Sequence, residues 1–153
     1  MATKADFSNE EWTKLTEAPL LAGMGISLLD MGVVSFAKEL HAMIKAVVSA
    51  KESYAGNALV HAIIADFESK STDTPPAAPE KKTSDGILAD LGHVVAIVDA
   101  KAGADEARGF KTFLFGISEQ VAGASGSGFL GFGEKISDDE KAYLAKLKST
   151  LSV

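Results

Sequence analysis

Two stretches of this chain place carboxylates where they could share a cation. Asp30, Gly32 and Glu39 form the first set, and Asp99, Gly103 and Glu106 the second. In each, an apolar helix ends in Asp, a glycine-containing turn follows, and a Glu lies early in the next helix. Oxygen ligands from four such carboxylates suit a hard cation such as Ca2+ or Mg2+. The alternative is plain turn chemistry, because Asp and Gly favour turns and acidic residues suit helix amino termini. Both readings stay open on the sequence, and neither involves a resident organic cofactor.

Other chemistry has less to build on. Asp90 and His93 have the i, i+3 spacing that carboxylate-bridged di-metal bundles use, but the sequence has no second pair of this kind. His41 and His61 lie beside the apolar stripes of their helices, as hydrogen-bonding histidines do. Gly126, Gly128 and Gly131 spell G-x-G-x-x-G within the run GASGSGFLGFG. A helix precedes that run instead of a strand, and the next helix does not open until Ser137, so the dinucleotide fingerprint lacks its context. Ser125 and Ser127 likewise have no strand-to-helix elbow around them. What is unusual in this run is Phe129, Leu130 and Phe132 among glycines. They either fold back into the core, the leading expectation, or form a contact for a protein partner or a second copy of the chain.

These residues must be positioned by helices. Ser8 with Glu11 and Ser137 with Glu140 read as capping boxes, and Phe7 is placed to staple onto Trp12. Pro19 allows a break or a fresh first turn, after which Leu20 to Leu29 forms a second stretch. Ala18, Ala22 and Gly25 form a small-residue stripe that would admit a close neighbour. Phe36, Leu40, Met43, Ile44, Val47 and Val48 line one face of a helix from about Ser35 to Lys51. Leu59 to Phe67, Ile87 to Val98, Phe110 to Val121 and Leu144 to Leu151 repeat that periodicity. Ser69 to Ser84 holds three of the four prolines and no large apolar residue, and reads as a mobile linker between two three-helix halves. The expected fold is all-α, about six helices in a single domain spanning residues 1–153.

Composition narrows the function classes. The chain has 153 residues with 46% apolar content, enough for one core. A net charge of −6 repels nucleic acid and anionic lipid. The absence of cysteine removes disulfides, thiolate metal sites and Cys nucleophiles. The stretch from Ala18 to Ala37 is broken by Pro19, Gly23, Gly25 and Gly32, so it reads as buried helix and not as a membrane span. The first twelve residues contain no signal-peptide core, and the expected location is cytoplasmic.

The segments LLDMGVVSFAKEL, IVDAKAGADEARGF and ISDDEKAYLAKL together resemble the tellurite-resistance TerB-type family of small all-α bacterial proteins. The resemblance implies two related helical halves, each with an Asp-Gly turn and an acid about seven positions on. It further implies a metal-linked, non-catalytic stress-response role. The leading expectation from the residues themselves is a non-enzymatic interaction or scaffold protein, with a metal- or small-ligand-binding protein as the alternative.

Overall fold

The computed structural model describes residues 1–29, 36–71, 83–125 and 136–153. Among them are six helices: α1 Asn9–Ser27, α2 Phe36–Ser53, α3 Ala58–Ser71, α4 Ser84–Lys101, α5 Ala104–Ser125 and α6 Asp138–Leu151. A 3-10 turn, Lys4–Asp6, precedes α1. The architecture is all-α, as the periodicities require. Val94 to Val98, which taken alone could pass as a strand, lies inside α4.

The start signals act as expected. Ser8 Oγ accepts the Glu11 N–H while the Glu11 carboxylate accepts the Ser8 N–H, and Ser137 and Glu140 do the same at α6. The rings of Phe7 and Trp12 are 5.8 Å apart, and both side chains are buried, so the hydrophobic staple forms. Thr83 caps α4 through the Gly86 N–H.

Two expectations about boundaries are corrected. Pro19 neither breaks nor restarts the first helix, since α1 runs through it without interruption. Proline removes a single donor, to the carbonyl four residues back, at a cost of about 3 kcal/mol in an isolated helix. Here Leu15, Ala18, Ala22 and Ile26 on either side are fully buried, and that burial offsets the loss. The ends of the segment expected to be linker, Ser69 to Ser84, are helical. Ser69 to Ser71 complete α3, and Ser84 opens α4. Residues 72–82 lie outside the described residues.

The core is one cluster drawn from both halves. Each of α2 to α6 packs on α1, and α5 touches each of the other five helices. Phe110, Phe113, Leu114 and Ile117 of α5 meet Leu15 and Ile26 of α1, Met43 of α2 and Leu59, Ile63 and Ile64 of α3 in that cluster. Close approach is built into α1. Ser118 Oγ on α5 donates to the Ala22 carbonyl at 2.8 Å. A Cβ on Gly23 would strike Met43 of α2 at 2.6 Å, and one on Gly25 would overlap the Tyr143 hydroxyl of α6. Tyr143 is 3% exposed, and among the described residues its hydroxyl has no hydrogen-bond partner. Burial pushes its ionisation well above the usual tyrosine value.

Gly25→Ala is therefore expected to destabilise the protein by about 1–3 kcal/mol, because the Tyr143 ring has to move. Tyr143→Phe removes a buried hydroxyl that lacks a partner, and is expected to hold or raise the denaturation midpoint. Chemical denaturation of the two variants checks both.

Candidate functional site

The best-defined polar constellation surrounds the corner between α4 and α5. Val98 and Gly103 carbonyls accept the Ala102 and Ala107 N–H groups, so the chain reverses in a short turn. Asp99 ends up in the last turn of α4 and Glu106 in the first turn of α5.

The two carboxylates face different partners. Both oxygens of Asp99 accept from Lys111 Nζ, at 2.9 and 3.2 Å, and the Asp99 side chain stays 47% exposed. Glu106 is 14% exposed, and its Oε2 accepts the Ala2 N–H at 2.9 Å. Its Oε1 is buried with no hydrogen-bond partner among the described residues. A lysine thus pairs with Asp99 and the Met1 amine, 3.8 Å from Oε2, with Glu106, while Glu106 Oε1 keeps an acceptor position.

Asn57 joins a second corner to this one. Its Oδ1 accepts the Val60 N–H and so caps α3, while its Nδ2 donates to the Glu106 carbonyl at 3.0 Å. A Cβ on Gly109 would lie 2.3 Å from Asn57 Nδ2, so α5 has to be bare at that position for the amide to reach it. One side chain thereby fixes the start of α3 against the start of α5.

The remaining sequence candidates are distributed as follows. Asp30, Phe129, Leu130 and Phe132 lie outside the described residues, as does the side chain of Glu39, whose backbone belongs to α2. The structure brings Asp99 and Glu106 to one corner and says nothing of their convergence with the first pair. No group of three or more His, Asp or Glu side chains arranged to hold a metal occurs among the described residues. His93 is exposed on α4, and His61 has a buried Nε2 without a partner among the described residues. No family model, curated protein or solved structure matches the chain.

Sequence reasoning missed Asn57 and the basic partners Lys101 and Lys111. The capping half of Asn57 had a signal, an Asn two residues ahead of the apolar run that starts at Leu59. Its bond to α5 spans 49 positions and left none.

Asn57→Ala is expected to cost about 1–2 kcal/mol by losing the cap and the interhelical bond. Gly109→Ala should be costly in the native background and much less so alongside Asn57→Ala. A double-mutant cycle by urea denaturation measures that coupling.

Proposed function

We propose that this domain is a non-enzymatic interaction or scaffold module. The observation that carries the reading is the outward presentation of large apolar side chains at consecutive elements. Leu28, just past α1, and Val48, on α2, are 36% and 37% exposed. In contrast, several of the described ion pairs tie elements of the fold together, Lys111 to Asp99, Lys101 to Glu11, Lys4 to Asp66 and Lys51 to Glu68, while Lys14 with Glu10, Arg108 with Asp105 and Lys141 with Asp138 stay within one helix. Gly23 of α1 abuts Val121 of α5, and Gly25 abuts Tyr143 of α6. Val121, near the end of α5, and Tyr143, early in α6, therefore lie close to the end of α1 that presents Leu28.

The test is association of purified protein by sedimentation velocity over a range of concentrations. Leu28→Ser with Val48→Ser is expected to shift the distribution toward monomer while changing stability by no more than about 0.5 kcal/mol. If Phe129 and Phe132 fold back into the core, as the sequence leads one to expect, Phe129→Ala and Phe132→Ala should each cost about 3–5 kcal/mol. Unchanged stability with lost association would instead make those rings the contact itself.

A second reading, a metal- or small-ligand-binding protein of TerB-like stress-response type, is favoured by the buried, unpartnered Oε1 of Glu106. Asp99 and Glu106, with Asp30 and Glu39, would supply oxygen ligands to Ca2+ or Mg2+. Binding to the folded state alone raises the melting midpoint with the logarithm of ion concentration. On this reading, thermal melts with either ion should show that rise, and Glu106→Gln should abolish it. An unmoved midpoint leaves both carboxylates to turn and fold chemistry.

A further inference from the structure

Residues 2–8 lie across the end of the bundle where α1 and α5 begin and α4 finishes. They bury Ala2 and Phe7 and cover Trp12, the chain's single tryptophan. Their shape and attachment depend on carboxylates from several elements. Asp6 accepts the Thr3 N–H at 2.7 Å and the Thr3 hydroxyl at 2.9 Å, which closes the 3-10 turn. Glu11 of α1 accepts the Ser8 N–H at 2.7 Å and pairs with Lys101 of α4. Asp66 of α3 holds Lys4 Nζ at 3.1 Å. Ala2 also donates to Glu106 of α5, so the segment is attached to the bundle at Ser8, Lys4 and Ala2, while the Asp6 bonds to Thr3 are internal to it.

The same two lysines lie over the rings they cover. Lys4 Nζ is 5.8 Å from the Trp12 ring centre, and Lys101 Nζ is 5.8 Å from that of Phe7. Asp66 and Glu11 pair with these ammonium groups. Apart from the Phe7 and Ala2 side chains, the segment adds little to the core, so its attachment is weak compared with that of the helices beneath.

We propose that residues 2–8 form an acid-released strap: protonation of Asp6, Glu11 and Asp66 frees it from the bundle and uncovers Trp12 while the helices persist. Among the described residues, the charged groups shown in contact with the strap or its lysines are Glu11 of α1, Asp66 of α3, Lys101 of α4 and Glu106 of α5, together with the adjoining Met1 amine and Lys4 and Asp6 of the strap itself; Glu10 and Lys14 of α1 pair with each other beside Glu11. In acid the carboxylates become neutral and the ammonium groups do not, which leaves Lys4 and Lys101 without counter-charge. The direction follows from the hydrogen bonds. The Thr3 N–H holds Asp6 below its ordinary 3.8, and Lys101 followed by the Ser8 N–H holds Glu11 below its ordinary 4.5. A carboxyl lowered by folding stabilises the fold above its unfolded value, and that contribution is lost as pH falls through the folded value. Release therefore belongs to the acid side of the ordinary carboxylate range.

Trp12 reports the event directly. Acrylamide quenching of its fluorescence is read alongside helical circular dichroism as the pH is lowered from neutral. The quenching constant is expected to rise about twofold or more before the helical signal falls. A triple variant, Asp6→Asn, Glu11→Gln and Asp66→Asn, should show the raised constant already at neutral pH with its helical signal intact. Loss of Trp12 shielding and of helicity in one coincident transition overturns the strap. So does a folded triple variant whose Trp12 is as shielded as in the native chain. If the triple variant fails to fold, the order of the two transitions in the native chain decides alone.

Discussion

Ala18, Ala22 and Gly25 leave one side of α1 with small or missing side chains and Gly23 leaves another side bare, which allows three other helices to come within reach of its backbone. Ala18 and Ala22 are fully buried, Ser118 of α5 hydrogen-bonds to the Ala22 carbonyl, and Gly23 and Gly25 admit Met43 of α2 and Tyr143 of α6. A larger side chain at any of these positions would push out a helix that other helices also lean on. Interiors pack at close to crystal density, so such a displacement is not absorbed locally. The bundle is organised from this helix outward, with α5 as its main counterpart.

The bundle ends are set by polar contacts of a different kind. Lys111 with Asp99, Lys101 with Glu11 and Lys4 with Asp66 each join two separate elements. Exposed ion pairs add little stability individually. Their effect is on position, because each restricts where one element can sit relative to another. In a chain of net charge −6, the cations are the scarcer partner, and these three are all committed to such joins. Asn57 does the equivalent with a neutral amide, so α3 and α5 start in register.

This division explains why the acidic turns look more like a ligand set in the sequence than they do in the fold. Spacing alone shows Asp99 and Glu106 seven positions apart across a turn, which suits either a shared cation or a reversal of the chain. The short turn between α4 and α5 then brings Lys111 to Asp99. The placement of residues 2–8 gives Glu106 the Ala2 N–H. Neither partner is near in sequence, and a lysine two turns into a helix carries no mark of the carboxylate it will meet.

What the sequence by itself determined is local. Helix type and approximate limits follow from the 3.6-residue period, and the starts of α1 and α6 follow from Ser8 with Glu11 and Ser137 with Glu140, contacts that span three residues. The Phe7 and Trp12 staple is equally short in range. Tertiary structure decided what depends on distant burial. It kept α1 continuous through Pro19, because a core drawn from five other helices offsets one missing hydrogen bond. It set α5 against Asn57 and Ala22, and laid residues 2–8 across α3, α4 and α5. Those outcomes depend on contacts between residues up to 104 positions apart, whose free energy exists only once the helices are assembled.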